Sequence, residues 1–231
     1  MDPIVFHALD RRADINVTER NLPHWFQAGA AIFVTFRCAD SLPKEVLLRM
    51  ERELHDWLKL NGLPIALASS KFESNAKSLV NDQLLSKFSN SQKREFKMLR
   101  DRLLHHSLDE CHGACLFKTQ EIARVVADAI LKFNGERYDL DSLVVMPNHV
   151  HTVVQFRDGY DFETIGQSWM RYTARVINKQ IGRKGVLWQP EPFDHIIRTP
   201  DQFCYLQRYI KDNPRRANLR DCEYVYWKNS L

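Results

Sequence analysis

His149 and His151 are separated by one valine, in a run from His149 to Phe156 that reads as a β-strand. Successive side chains on a strand alternate faces, so residues two apart share one. The two imidazoles therefore point the same way and Val150 points into the core. Two imidazoles side by side on a rigid strand suit one divalent ion. Pro147 and Asn148 fix how the strand begins, which preorganises the pair. The competing reading is two polar residues on an exposed sheet face. Metallo-β-lactamase-type hydrolases need an Asp two residues after the second His, where this chain has Val153. Histidine-triad nucleotide hydrolases need a third His there, and it is missing too. Cys111, His112 and Cys115 suggest zinc, but no second ligand pair follows at finger spacing.

The elements that must position this pair follow from periodicity. Ala30 to Arg37 is short, β-branched and aromatic, which reads as a buried strand. Pro43 opens a helical pattern through Val46, Met50, Leu54 and Leu58, ending near Asn61-Gly62. Residues 64–115 read as a helical insertion, punctuated by Ser-Asn clusters, with Leu79, Leu84, Leu85 and Phe88 at helical spacing. Thr119 resembles an N-terminal cap for a helix whose apolar face runs from Ile122 to Phe133. Arg137 to Met146 and His149 to Phe156 form two strands joined by a Pro147-Asn148 break, a hairpin. Phe162 to Ile181 is an amphipathic helix. Trp188 to Arg198 is extended, and Pro200 opens a last helix that Asn213-Pro214 is expected to stop. No βαβα alternation is present, so an α+β fold is expected: an antiparallel sheet with helices packed on one face.

Bulk properties narrow the function. The chain has 231 residues, a formal charge of +4 and five cysteines. Its N-terminal residues lack the basic and apolar regions of a signal peptide, and no stretch is long enough for a membrane span. Reduced thiols in a cytoplasmic protein are expected. The charge is uneven. Between Thr164 and Arg220 stand eleven Lys or Arg against four acids, which points to a nucleic-acid face in the C-terminal third. A solvated surface that happens to be basic is the alternative.

Four motifs occur in order: Val144-Val-Met-Pro-Asn-His-Val-His151, then Leu187-Trp-Gln-Pro, Phe193-Asp-His-Ile-Ile-Arg198 and Tyr209-Ile-Lys-Asp-Asn-Pro-Arg-Arg-Ala217. This set resembles the REP-associated tyrosine transposases, a branch of the single-tyrosine HUH (His-hydrophobe-His) transposases. The resemblance covers residues 25–60 and 115–220 and leaves out the arm 1–24, the insertion 64–115 and the tail 221–231. It implies one catalytic domain over 25–220 with a ferredoxin-like core, the histidines on a central strand and the nucleophile on a following helix.

By that resemblance, Tyr209 is the nucleophile and Asn213 the third ligand to an ion held by His149 and His151. Helical spacing puts Tyr209 and Asn213 on one face. A hard ion, Mg²⁺ or Mn²⁺, would polarise a phosphate in single-stranded or hairpin DNA. Tyr209 would then form a 5′-phosphotyrosine whose bond energy is kept for strand transfer. Arg171, Arg175, Arg198, Arg208, Lys211, Arg215 and Arg216 are expected to contact phosphates. A monomer is the expected state. Tyr205, one turn earlier, is the second candidate nucleophile and otherwise a core aromatic; Tyr172 is a third. Trp188 and Phe193 are either core anchors or base-stacking platforms, and His195 either orients the site or is a buried structural histidine. The other functional reading is a domesticated DNA-binding relative that no longer cleaves.

Overall fold

Seven strands, five α-helices and two single-turn 3-10 helices make up the described secondary structure of the computed structural model, which describes residues 5–10, 12–19, 23–62 and 87–230. The strands are Asn16–Glu19 (β1), Pro23–Phe26 (β2), Ala31–Arg37 (β3), Tyr138–Val145 (β4), His149–Phe156 (β5), Phe193–Ile196 (β6) and Val225–Lys228 (β7). The helices are Lys44–Leu60 (α1), Asn90–Asp109 (α2), Gln120–Leu131 (α3), Phe162–Gln180 (α4) and Pro200–Arg216 (α5). The chain divides into two units, Met1–Ser41 with Ala114–Leu231, and Leu42–Gly113.

In the first unit, β1 and β2 form a separate antiparallel hairpin. The other five strands form one antiparallel sheet in the order β6-β3-β5-β4-β7. Counting β3, β4, β5 and β6 as first to fourth, the core order is 4-1-3-2 with α3 and α4 as the two crossovers, the ferredoxin-like βαββαβ arrangement. The histidine strand β5 is central. Ile32, Val34 and Phe36 of β3 and Val150 and Val154 of β5 face α3 and α4, which supply Ile122, Val126, Ile130, Ile165, Trp169 and Ile177. Both crossover helices thus cover one face, as expected.

The opposite face differs. Ala31, Phe33, Val144 and Val153 pack there against Leu206, Tyr209 and Ile210 of α5. A third helix therefore lies on the face that the crossovers leave open. A bulge between Leu140 and Ser142 lets β4 serve both sides. Leu140 and Leu143, three apart, both face α3 and α4. The extra residue bends the strand and re-aims the side chains on either side of it.

Capping fixes where the helices begin. Asp161 accepts from the Thr164 amide at 2.7 Å for α4, and Thr199 from the Gln202 amide at 3.1 Å for α5. Thr119 starts α3 with its carbonyl, which accepts from Ile122 and Ala123, and its hydroxyl makes no cap bond. Asn213-Pro214 does not stop the last helix: α5 runs through Pro214 to Arg216. Pro214 removes one amide donor, but only two residues before the helix end, and the ring is buried. Asn213 consequently stays helical, one turn from Tyr209. Residues 221–231, expected as a tail, contain β7, which pairs with β4 from Ser142↔Lys228 to Val145↔Val225.

The second unit begins at Leu42, so α1 groups with the segment that follows it. Val46, Met50, Leu54 and Leu58 of α1 form a core with Phe88, Phe96, Leu103 and Leu108. A capping box opens α2: Ser89 Oγ accepts from the Gln92 amide at 3.2 Å, and Gln92 Oε1 from the Ser89 amide at 2.9 Å. Leu79, Leu84 and Leu85, read as helical, lie outside the described residues.

Candidate active site

His149 and His151 are both fully buried, at 0% exposure, on the sheet face that α5 covers. Their ring centroids are 4.6 Å apart with the planes at 72°. Each ring is tethered through the same nitrogen. His149 Nδ1 lies 2.7 Å from Asn148 Oδ1, and His151 Nδ1 lies 2.7 Å from Thr35 Oγ1. Thr35 is there because it pairs with His151 in the β3–β5 register. An amide oxygen only accepts, so His149 carries a proton on Nδ1, and in the neutral ring Nε2 is then the nitrogen that can bind a metal. Imidazoles whose second nitrogen is held by an oxygen are the usual form of histidine ligands.

α5 brings the tyrosine to this pair. Tyr209 Oη lies 3.2 Å from His151 Nε2, and the two ring centroids are 5.2 Å apart. With the proton on Nδ1, the Thr35 hydroxyl accepts and the Tyr209 hydroxyl donates to Nε2. Phe33 backs both rings, 5.4 Å from His151 and 6.1 Å from Tyr209. Asn213 is fully buried one turn on, and neither its amide nitrogen nor its amide oxygen has a hydrogen-bond partner among the described residues. An amide buried in that state costs free energy unless a ligand completes it.

Two imidazoles and an amide fit a divalent ion as a neutral donor set. Among the described residues, no group of three His, Cys, Asp or Glu converges on a point, so the amide is the third protein donor on offer.

The basic residues split into two sets. Arg208, Lys211, Arg215 and Arg216 are exposed on α5, and Arg198 just precedes it. The Arg216 guanidinium carbon lies 5.7 Å from the Tyr209 ring centroid. Arg171 and Arg175 are exposed on α4, which packs on the other face of the sheet, with Tyr172 beside Arg175. The structure does not bring these two to the histidine pair. Trp188 is a core anchor: its indole N–H donates to Thr173 Oγ1 at 2.9 Å and its ring packs on Phe36. His195 stands on the site face of β6, 5.3 Å from Phe33. Tyr205 is not a core aromatic, being 58% exposed on α5.

Arg37 was not singled out in the sequence. It pairs with His149 in the β3–β5 register and shares a face with Thr35. Its guanidinium donates to Ser41 Oγ at 3.1 Å, and among the described residues no carboxylate forms an ion pair with it. Burial pulls Arg37 down to about 10, which leaves it charged at neutral pH. The signal was available: Thr35-Phe36-Arg37 puts two polar side chains on one face at the end of an otherwise apolar strand.

No family model matches the chain, and no curated protein matches it. Among solved structures it is similar to a REP-associated tyrosine transposase bound to a REP hairpin, at 17% sequence identity, over 84% of this chain and 71% of the other, with a TM-score of 0.39. A likeness of that depth assigns no function. Among the described residues, no helix is long and apolar enough to cross a membrane.

Proposed function

We propose that this chain is a single-tyrosine HUH-type endonuclease and strand transferase acting on single-stranded or hairpin DNA. The contact that carries this reading is Tyr209 Oη at 3.2 Å from His151 Nε2, with His149 beside His151 and the buried Asn213 one helical turn from Tyr209. A nucleophile, two metal-type imidazoles and an amide without a partner thus meet within one chain. That meeting in one chain supports action as a monomer.

His149, His151 and Asn213 would hold the ion, Mg²⁺ or Mn²⁺, which when bound neutralises charge on the scissile phosphate. Tyr209 Oη attacks the phosphorus, and the bond from phosphorus to the 3′-oxygen breaks. The products are a 5′-phosphotyrosine and a strand ending in a 3′-hydroxyl: the phenol gives up a proton and the departing 3′-oxygen takes one up, so none is released in the balance. The exchange conserves one phosphodiester bond, so a second 3′-hydroxyl reverses it and joins a new strand. Phe33 and the burial of both histidines exclude water from the attacking side. Arg198, Arg208, Lys211, Arg215 and Arg216 hold the flanking backbone without reading its sequence.

The test is covalent capture on labelled single-stranded hairpin DNA with Mn²⁺. Wild type should form a protein–DNA adduct, and Tyr209→Phe should form none while still binding DNA. His149→Ala should likewise bind without reacting. An adduct that persists in Tyr209→Phe removes the nucleophile assignment. Wild type that binds but never forms an adduct would favour a DNA-binding relative without cleavage.

A further inference from the structure

Beside the buried nucleophile stands an aromatic ring that the reaction does not use. Tyr205 lies one turn before Tyr209 on α5, and the two rings are stacked, with centroids 6.4 Å apart and planes at 20°. Tyr209 is buried against His151 at 7% exposure, whereas Tyr205 is 58% exposed. The pair thus runs from the reaction centre out to the surface. The remaining exposed positions of α5 are Pro200, Asp201, Cys204, Arg208, Lys211, Asp212, Arg215 and Arg216. Tyr205 is therefore the one large hydrophobic side chain that this helix shows to solvent.

We propose that Tyr205 is a stacking platform for the unpaired nucleobase next to the phosphate that Tyr209 attacks. Which base it takes rests on the reading of Tyr209 as nucleophile; stacking itself does not. Every nucleobase has a π-face, so an exposed aromatic beside cationic side chains holds single-stranded DNA with little regard to sequence. The parts are present here. Arg208 follows Tyr205 by one turn, and Arg216 lies 5.7 Å from the Tyr209 ring. A base laid on the solvent side of Tyr205 continues the stack begun by Tyr209. Its sugar–phosphate is thereby held within reach of the tyrosine hydroxyl. A duplex keeps its bases stacked on each other and cannot supply that face, so Tyr205 selects unpaired DNA at the site.

The experiment compares two probes of equal charge: oligo(dT) of about 20 nucleotides, long enough to cover one groove, and an abasic phosphodiester chain of the same length. Binding is measured in the Tyr209→Phe background so that no covalent product forms. The Tyr209→Phe protein should prefer oligo(dT). Adding Tyr205→Ala should weaken oligo(dT) binding by roughly tenfold and leave the abasic chain unaffected. Tyr205→Trp should keep the preference, since it keeps an aromatic face. Equal loss on both probes, no loss on either, or no preference to begin with overturns the proposal. The adduct assay separates the two readings. An adduct with wild type but no base-dependent effect of Tyr205 sinks the platform alone. Base-dependent binding without any adduct sinks the nuclease and keeps the platform.

Discussion

Replacing Asn213 with leucine should stabilise the protein in the absence of metal while destroying its response to metal. Asn213 is fully buried, and both polar atoms of its amide lack a hydrogen-bond partner among the described residues. A buried amide in that state costs about 1–3 kcal/mol on protein mutational scales. Leucine keeps the same branched four-atom skeleton, with bulkier methyl groups, and removes that cost without opening a cavity. We therefore predict a gain of about 2 kcal/mol in metal-free protein, read as a rise of about 1 M in the urea midpoint of the sheet unit at unchanged slope. Adding Mn²⁺ should reverse the order. A ligand at 100 times its dissociation constant stabilises by about 2.7 kcal/mol, and only the wild type should gain that much. Urea titrations of both proteins, with chelator and with Mn²⁺, decide it. An Asn213→Leu protein that is less stable than wild type under chelator would mean that the amide is satisfied in the fold, and its assignment as a ligand would fail.

Two further outcomes follow from the tethers and the surface. Thr35→Val keeps the side-chain shape but removes the hydroxyl that holds His151 Nδ1 at 2.7 Å. Mn²⁺ affinity by calorimetry should fall by about 10- to 100-fold; an unchanged affinity would show that the tether does not orient the ring. Glu223 is held down to about 2, below its ordinary 4.5, first by the Arg220 backbone amide and then by the Arg220 side chain. Because the folded value is lowered, its contribution is full above pH 4.5 and is lost as the pH falls from 4.5 towards 2. Glu223→Gln should flatten the acid limb of a plot of urea midpoint against pH over that interval, and parallel limbs would contradict the assignment.

Much of the fold was legible because most elements announce themselves locally. The short β-branched and aromatic run from Ala30 to Arg37 reads as a strand, and the two-residue period of the strand His149–Phe156 puts both histidines on one face. Helix α5 was visible, but its place was not. Nothing local says that it covers the face opposite α3 and α4, because that follows from which face the two crossovers leave open. The end of α5 was misjudged at Pro214, where burial of the ring offsets the missing donor only two residues from the helix end. β7 escaped notice because four residues with one partner strand carry no periodicity of their own. The basic surface divides between the two faces for a related reason. Charge counted along the sequence does not say which side of a sheet a helix occupies, and Arg171 and Arg175 ride on α4, away from Tyr209. Tyr205 shows the same limit on one helix: spacing put it beside Tyr209, but only packing shows that it faces solvent.

Helix α5 has an unusual attachment. It is entered from β6 and left towards β7, the two outermost strands of the sheet, each four residues long, whereas the histidines sit on the eight-residue central strand β5. Local opening starts where ladders are short and have one neighbour, and central strands open only with the whole domain. The two halves of the site therefore differ in how readily they come apart. Amide hydrogen exchange should be slowest through Val150–Val154 and faster along α5 and its flanking strands. On the proposed function, a DNA end bound to Tyr209 would ride on the part of the molecule that detaches at least cost, while the histidine pair would stay fixed for the next strand.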